Sequence, residues 1–299
     1  MDISVIIISW NVKGLLEKCL ESLYAYTAGV GFEVIVVDNA SSDGTVEMLE
    51  SNFDVIPTEA SRRRAEWRNP LQPANGTYKG SLGGEYPLGM TIKLIRNSKN
   101  LGFAAANNIA IKESSGKYVL LLNPDTEFTE NSLKKVFDKM ESDTSIGVLG
   151  CKLLNPDGTL QPSVRRFPRV RDIAIIFFKL YKLFPSLLNY YLAKDFDYAR
   201  ESEADQVMGA FMCIRRSAIE KLSPPARGGD KGGVGALDDK YFIWFEEVDF
   251  CRRAKRAGFK VVYWPGTSII HHGGQSFGQA GTVQKQWWFF RSAWRYLTK

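Results

Sequence analysis

Apolar runs of strand length alternate along the first half of the chain with segments whose apolar residues recur at helical spacing. Residues 3–9, 32–37 and 118–122 are almost wholly apolar, a pattern typical of strands buried on both faces. A predicted helix over residues 13–26 places on one face Leu15, Leu16, Cys19, Leu20 and Leu23. Strand, helix and strand in this order predict a βαβ unit with a right-handed crossover, and hence an α/β fold with a mostly parallel sheet.

Each of these predicted strands stops abruptly at polar residues. The polar residues that follow the three strands are Ser9, Trp10 and Asn11, then Asp38 and Asn39, and then Asn123 and Asp125. Pro124 helps to end the third strand, because it has no N–H for the ladder. In open α/β sheets, ligands bind in the crevice beyond the carboxyl ends of the strands. These polar residues are therefore candidate ligand contacts.

The two carboxylates at these strand ends have different candidate roles. Asp125 is placed to bind a hard cation that carries a diphosphate, although Asn-Pro-Asp is also good turn chemistry, and the residues alone leave both open. Asp38 is placed to accept hydrogen bonds from a ribose or a base N–H, whereas Asp43 is interpreted as a helix cap. The loop after the first strand lacks G-x-G-x-x-G, which argues against an NAD enzyme.

Three acids in four positions, Glu246, Glu247 and Asp249, begin a predicted helix whose later turns carry basic residues. Such an order complements the helix dipole. The flanking aromatic residues, however, predict partial burial and a raised proton affinity. A carboxylate at a helix start in a cleft can take the proton of an attacking hydroxyl. Glu246 and Glu247 are therefore candidate general bases.

The two histidines of the chain, His271 and His272, follow a predicted strand near its C-terminal part. A neutral imidazole beside a carboxylate is a good ligand for Mn²⁺ or Mg²⁺, and a better one for Mn²⁺. The alternative is a structural histidine whose hydrogen bonds are satisfied.

Composition narrows the class of protein. The chain has 299 residues, 44% apolar and 24% charged, as expected for a globular protein with one large core. The net charge of +6 favours anionic partners such as phosphates or acidic lipid. No cysteine pair has the spacing of a zinc or redox motif, so the four cysteines are interpreted as reduced and mostly buried. The first residues lack a signal-peptide pattern and no apolar run reaches the roughly 18–20 residues of a membrane span, so we expect a cytoplasmic protein.

Five motifs in order resemble family 2 glycosyltransferases, and the Asn-Pro-Asp variant is similar to bacterial rhamnosyltransferase-like members. They are residues 4–11, 36–45, 100–108 and 123–125, and then the acid cluster with the His271-His272-Gly273-Gly274 segment. The resemblance covers most of the chain and implies a GT-A fold, with Asp38 on the nucleobase and Asn108 facing the nucleotide. It also implies that Asp125 and His271 bind the metal and that Glu247 is the base, with Glu246 as the alternative.

Four other segments carry expectations of their own. The Gly-, Pro- and Arg-rich residues 57–91 are predicted to form a long surface loop. Residues 223–237, with five glycines, are predicted to be a lid or a plain connection. The apolar residues 173–192 are either a core-packing pair of helices or an interfacial segment. A C-terminal helix would place Trp287, Phe290 and Trp294 on one face, which predicts either core packing or peripheral membrane contact.

The sequence therefore predicts one glycosyltransferase domain over residues 1–299. Residues 1–125 are expected to bind the nucleotide sugar, and residues 126–299 to form the acceptor side. The expected activity is inverting, metal-dependent transfer from a nucleoside-diphosphate sugar, with dTDP-rhamnose as one candidate donor, to a cell-surface glycan or lipid-linked acceptor. Nucleotidylyl transfer and non-catalytic binding of a sugar nucleotide are the alternatives, and no nucleic-acid partner is expected.

Overall fold

The described part of the computed structural model comprises residues 1–57, 91–223, 236–274 and 281–299, together with the backbone of two short strands between the first two ranges. The strands are β1 Ile3–Ser9, β2 Phe32–Asp38, β3 Asp54–Pro57, β4 Thr77–Lys79, β5 Glu85–Pro87, β6 Thr91–Arg96, β7 Tyr118–Leu122, β8 Thr126–Phe128, β9 Ile146–Leu154, β10 Leu160–Gln161, β11 Val164–Arg165, β12 Ser202–Glu203, β13 Gln206–Val207, β14 Phe211–Arg215 and β15 Lys260–His271. The helices are α1 Lys13–Tyr26, α2 Thr45–Asn52, α3 Phe103–Glu113, α4 Ser132–Ser142, α5 Val170–Phe177, α6 Arg216–Leu222, α7 Glu246–Arg256 and α8 Thr282–Thr298, with 3-10 turns at Leu180–Lys182 and Pro185–Leu188.

One large sheet runs through both halves of the chain in the order β12-β15-β9-β14-β7-β1-β2-β6-β3. Strands β3, β6, β2, β1 and β7 are parallel neighbours, and β9 and β15 point the same way. Strand β14 lies antiparallel between β7 and β9, so it joins the two parallel groups. The predicted α/β fold with a mostly parallel central sheet is confirmed, and the carboxyl ends of these strands meet at one edge.

Helices cover both faces of this sheet and bury a core on each. Alternation along β1 sends Ile3, Val5 and Ile7 to one core and Ile6 and Ile8 to the other, as the two-residue period of a strand requires. Helices α1, α2 and α4 pack on the first face, and α3, α6 and α7 on the second. Cys19 and the other three cysteines are buried and free, as predicted.

Two predicted strands have different boundaries in the structure. The strand predicted over residues 207–214 is interrupted by a turn at residues 208–210, so that β13 and β14 pair with different neighbours. The two short strands predicted before His271 form one long strand, β15, with an irregularity between Trp264 and Ser268. Neither difference moves His271 away from the carboxyl edge of the sheet.

The apolar segment after α5 does not form a second core-packing helix. It consists of two short 3-10 turns with most large side chains exposed. No helix in the described ranges is long and apolar enough to cross a membrane. The predicted surface loop at residues 57–91 lies outside the described residues except for its ends and strands β4 and β5, and so do residues 224–235 of the predicted lid.

Candidate active site

A cleft opens at the carboxyl edge of the sheet. Trp10, Asn39, Asn123 and Asp125, which follow β1, β2 and β7, line it. Phe242 and Trp288, stacked with ring centroids 4.7 Å apart, close another side. The structure therefore brings together strand-end residues that are more than 100 positions apart in the sequence. We call this part the donor cleft.

Asp125 and His271 meet in the donor cleft. The His271 Nε2 atom lies 3.4 Å from Asp125 Oδ1, and both residues are 5% exposed. The end of β15 is held there because β15 pairs with β8 and His272 N donates to Asp125 O at 2.9 Å. Two ligands at right angles on a Mg²⁺-sized ion, each about 2.1 Å from it, stand about 3 Å apart. The pair therefore has the spacing and chemistry of two ligands on one cation.

Gln161 determines which nitrogen of His271 carries the proton. The Nε2 group of Gln161 donates to Asn155 Oδ1 at 3.0 Å and to His271 O at 3.2 Å, which fixes the orientation of the amide. Its Oε1 atom then faces His271 Nδ1 at 2.6 Å, so Nδ1 must donate. The Nε2 lone pair is left facing Asp125 and the amide of Asn123, 3.3 Å away. This is the tautomer that a metal ligand needs.

Asp38, the predicted nucleobase contact, has a buried carboxylate oxygen that is available to a ligand. Its Oδ2 atom accepts from Ser41 N at 3.1 Å, while Oδ1 has no hydrogen-bond partner among the described residues. Burial raises the pKa of Asp38, against the hydrogen bonds from Ser41 that lower it. A ligand N–H or O–H at Oδ1 would offset the cost of burying this atom. Asp43 accepts from Lys13 N and Thr45 N, which agrees with its predicted capping role.

Among the other residues predicted to contact the sugar nucleotide, the side chains mainly make hydrogen bonds within the protein. Asn39 lines the cleft, but its amide donates to Gly102 O and accepts from Asn97. Asn11 accepts from Ser42 N through its side chain and lies at φ 51°. The hydroxyl of Ser9 is buried and without a partner in the described residues. Asn39 and Asn11 therefore shape the loops, and Trp10 lines the cleft, whereas Ser9 is fully buried and is not among the residues that line it.

The position of Asn108 differs from the prediction. Its amide makes two hydrogen bonds with the backbone of Leu237, at 2.7 Å and 3.0 Å. It lines a separate depression with Asp238, Arg253 and Lys299, and not the donor cleft. On helix α3 this face is turned away from the strand ends, so Asn108 joins segments rather than facing a nucleotide.

Glu246 and Glu247 line a second cavity that is continuous with the donor cleft. Phe103, Asn123 and Ile243 line both, and we call the second part the acceptor cleft. Trp244 and Phe245 precede the two glutamates with φ of 64° and 72°, a left-handed conformation that costs bulky residues about 1–3 kcal/mol each. This strained turn places both glutamates in the first turn of α7.

The environments of the two glutamates separate their roles. Burial raises the pKa of Glu246 well above its usual range, and the charge of Glu247 raises it further. Burial also raises the pKa of Glu247, but the nearby Arg165 guanidinium opposes this shift. Each glutamate has one buried carboxylate oxygen without a partner among the described residues. Burial and the neighbouring charge raise the pKa of Glu246 more than burial raises the pKa of Glu247, so Glu247 is the better candidate to accept a proton.

Gly102 links the two clefts. Its φ is 82°, and a Cβ atom there would lie 2.3 Å from Phe242 O. Phe103 N donates to this same carbonyl at 2.8 Å. The close backbone approach predicted for Gly102 is confirmed, and it connects the loop held by Asn39 to the segment that carries the glutamates.

The sequence profile of Glycosyl transferase family 2 matches residues 4–69 and 85–222, which is more than half of the chain. The chain belongs to glycosyl transferase family 2. The predicted family is therefore confirmed, and the protein is a glycosyltransferase rather than a nucleotidylyltransferase.

Relatives of this family 2 glycosyltransferase include rhamnosyltransferases. The N-acetylglucosaminyl-diphospho-decaprenol L-rhamnosyltransferase of Mycobacterium tuberculosis is 24% identical, over 92% of this chain and 77% of that protein. Rhamnosyltransferase WbbL of Escherichia coli is 26% identical, over 66% of this chain and 70% of that protein. The mannosyltransferase PcManGT of Pyrobaculum calidifontis, solved with GDP-Man and Mn²⁺, has the same fold, with a TM-score of 0.51 and 16% identity over 98% of this chain and 69% of that one.

Several site residues of this glycosyltransferase are missed by the sequence analysis. Gln161, Arg165 and Tyr191 lie in irregular segments or two-residue strands with no periodic pattern. For Gln161 the sequence contained one usable signal. The residue follows the Asn155–Thr159 turn, which returns the chain beside the end of β9 and so towards the carboxyl edge of the sheet. Within the described ranges, no group of three or more His, Cys, Asp or Glu side chains forms a complete metal site.

Proposed function

We propose that this protein is an inverting, metal-dependent glycosyltransferase that moves a sugar from a nucleoside-diphosphate sugar to a hydroxyl of a lipid-linked or cell-surface glycan acceptor. The observation that carries the proposal is the continuity of two clefts, one with Asp125 and His271 and one with Glu247. The first suits a diphosphate and the second a hydroxyl. The solved relative with GDP-Man and Mn²⁺ supports a nucleotide-sugar donor, and the rhamnosyltransferase relatives make dTDP-rhamnose the first donor to test.

In the proposed reaction, Glu247 takes the proton of the acceptor hydroxyl. The acceptor oxygen bonds to the anomeric carbon while the bond from that carbon to the diphosphate oxygen breaks, and its electron pair leaves with the nucleoside diphosphate. Attack from the face opposite the leaving group inverts the anomeric configuration. A general base of this kind contributes about 10²–10⁴ in rate. Glu246, whose pKa is raised further by burial and by the charge of Glu247, is the alternative proton acceptor.

The side chains of Asp125 and His271 fit a divalent cation. Asp125 Oδ1 and His271 Nε2 would hold Mn²⁺ or Mg²⁺, with the remaining positions left to the donor diphosphate and water. When bound, such an ion supplies positive charge that stabilises the departing diphosphate. In this arrangement residues 1–125 hold most of the donor and residues 126–299 supply Glu247, His271 and the acceptor cleft.

A donor screen tests the proposed function. Wild-type protein is titrated with UDP-, dTDP- and GDP-sugars with Mn²⁺ or with EDTA, and released nucleoside diphosphate is measured with and without acceptor. We expect metal-dependent binding of one donor class, and Asp125→Ala should remove the difference between Mn²⁺ and EDTA. Equal donor affinity of the wild type under both conditions would show that the metal role is wrong.

We also propose that the protein docks on an anionic membrane surface through an exposed apolar surface. On α8 this surface comprises Val283, Trp287, Phe290, Trp294 and Leu297. On the segment of residues 170–190 it comprises Val170, Phe177, Phe178, Leu180, Tyr181, Leu183, Phe184, Leu187 and Tyr190. The two parts touch, since the Phe177 and Phe290 ring centroids are 5.7 Å apart. A contiguous apolar surface of this extent marks an interaction site.

Charge and packing favour lipid as the occupant of this surface. Neither residues 173–194 nor residues 282–299 contain an acidic residue, whereas both carry lysines, and α8 also carries arginines. Aromatic rings settle at the headgroup level, and each basic residue near an anionic surface contributes about 1 kcal/mol. The opposite side of α8 packs on the protein, where Ala293 and Tyr296 are buried with Phe245. Core packing and an outward lipid-facing side thus coexist on one helix.

Sedimentation with phosphatidylglycerol vesicles tests this docking. We expect co-pelleting at low salt that weakens as salt screens the basic residues. The triple variant Trp287→Ser, Phe290→Ser and Trp294→Ser should lose it. The matched control is Tyr26→Ser with Ile56→Ser, which removes exposed apolar side chains elsewhere. Absence of co-pelleting by the wild type, or equal loss in the control, would refute membrane docking.

A further inference from the structure

Arg165 lines the acceptor cleft together with Glu247, whose pKa its charge lowers, but it makes no direct ion pair among the described residues. Val164 is buried in the core, so alternation along β11 turns the flanking Ser163 and Arg165 to the opposite side, where both line the cleft. Within the described residues, the Arg165 guanidinium has no hydrogen bond and no ion pair. The adjacent Arg166 instead pairs with Asp195 at 2.6 Å. A positive charge in a cleft with no partner is available to an anionic ligand.

A second unpartnered group lies beside it. The Ser163 side chain is 3% exposed, and its hydroxyl has no hydrogen-bond partner in the described part of the chain. Residues i and i+2 share one side of a strand, so Ser163 Oγ and the Arg165 guanidinium face the same ligand space. Buried polar groups are nearly always hydrogen-bonded, which indicates that a ligand completes this site.

The cleft around Arg165 is lined by residues that adjoin the apolar surface in the sequence. Tyr191 and Phe289 line the cleft, and their chain neighbours Tyr190 and Phe290 are 39% and 43% exposed on that surface. The same cleft holds Glu247, whose proton affinity Arg165 lowers. The cleft thus holds the proposed base and the Arg165 guanidinium, next to segments that carry the proposed lipid-facing surface. A lipid-linked sugar has the matching order: reactive hydroxyl, sugar ring, phosphate, lipid.

We infer that Arg165 and Ser163 bind the phosphate of a lipid-linked acceptor, and this inference rests on the proposed transferase function. The planar guanidinium matches phosphate oxygens through paired N–H groups, and the serine hydroxyl adds a third donor. The donor diphosphate is assigned elsewhere, to Asp125 and His271. The site therefore distinguishes an acceptor with a phosphate from a plain glycoside.

Transfer to two acceptors tests this site. The acceptors are a short-chain lipid diphosphate of N-acetylglucosamine and an alkyl N-acetylglucosaminide without phosphate. For Arg165→Gln we expect KM for the diphosphate acceptor to rise about 10–100-fold, as for loss of charge-assisted hydrogen bonds, and kcat to change to the same extent with both acceptors because Glu247 loses a neighbouring positive charge. KM for the glycoside should not change. Ser163→Ala should show a smaller rise, Arg165→Lys should recover part of the loss, and Arg166→Gln is the matched control.

A direct binding measurement keeps this inference separate from the transferase activity. With the donor cleft saturated by nucleoside diphosphate and Mn²⁺, binding of geranyl diphosphate is followed by calorimetry. Wild type should bind it and Arg165→Gln should bind it at least tenfold more weakly. Equal binding by both proteins, or none by the wild type, overturns the inference whether or not transfer occurs.

In the transfer assay, a loss of activity by Arg165→Gln that is equal for both acceptors, with a shifted pH profile of kcat, would instead show that Arg165 acts through Glu247. Arg165-dependent binding without any transfer would count against the transferase proposal alone.

Discussion

Replacing Gln161 by leucine tests whether the His271 tautomer is set by its neighbour. In the structure the Gln161 carbonyl oxygen accepts from His271 Nδ1 at 2.6 Å, in a place where His271 is 5% exposed. Leucine has a similar volume and no acceptor. The buried Nδ1–H is then unpaired, and the alternative tautomer, which carries its proton on Nε2, becomes accessible. That tautomer has no lone pair to offer a cation beside Asp125.

The size of the effect follows from the single lost partner. An unpaired buried donor costs about 1–3 kcal/mol. At about 1.4 kcal/mol per factor of ten, this corresponds to a loss of about 5–150-fold in the population of the binding tautomer. Removal of an outer partner of a metal-bound histidine typically lowers metal affinity about 10–100-fold, which is the same range. We therefore expect Mn²⁺ affinity, measured with a saturating donor nucleotide, to fall by about one to two orders of magnitude.

Calorimetric titration of Mn²⁺ into protein with nucleotide provides the measurement. Gln161→Glu is the matched control, because its carboxylate keeps an acceptor for Nδ1–H and should retain most of the affinity. Gln161→Glu loses the donors to Asn155 and His271 O as well, so any effect of those bonds appears in both variants. The reasoning is refuted if Gln161→Leu binds Mn²⁺ as tightly as the wild type, or if both variants lose affinity equally.

Three further substitutions give distinct outcomes. Glu247→Gln should lower transfer by about 10²–10⁴ while donor affinity stays near normal; activity retained there but lost in Glu246→Gln would move the base by one residue. Glu246→Gln should raise the melting temperature at pH 8 but not at pH 4. Burial raises the pKa of Glu246 above its ordinary 4.5, so the native state holds a proton that the unfolded chain releases, and stability falls as pH rises through this range. Gly102→Ala should destabilise the protein by about 1–3 kcal/mol in denaturant titrations and weaken donor binding, because of its φ of 82° and the contact with Phe242 O, whereas Gly14→Ala, which meets nothing within 4 Å, should do neither.

The elements with long, regular patterns could be predicted from sequence. The bounds of β1 and α1 agree with the prediction, because β1 has an unbroken apolar run and α1 a clear helical face. Such patterns indicate which residues are buried, and a run of residues buried on both faces indicates a strand inside the sheet. The placement of Asp125 and His271 together was implied by the family resemblance, and the structure brings the two residues within 3.4 Å.

The parts that could not be predicted depend on contacts distant in sequence. The family resemblance implied that Asn108 faces the nucleotide, yet the backbone of Leu237 satisfies its amide, and no local signal shows this. Gln161 and Arg165 lie in strands of two residues, too short for a period to be visible. The exposed apolar segment after α5 has the composition of a core helix. Only its position in the fold shows that much of it faces outward.

Helix α8 connects the proposed membrane docking to the chemistry of the cleft. Trp288 stacks on Phe242 in the donor cleft, and the next residue, Phe289, lines the acceptor cleft. On the outer side, Trp287, Phe290 and Trp294 form a row of ring pairs with centroids 6.2 Å and 6.5 Å apart. Helix α8 carries both the outer row of rings and the cleft residues Trp288 and Phe289. Docking of the outer row at the headgroup level would therefore also set the distance of both clefts from the membrane. Under the proposed docking, the acceptor cleft would lie near the headgroups, and the sugar of a membrane-anchored acceptor would reach Glu247 while its lipid tail stays in the bilayer.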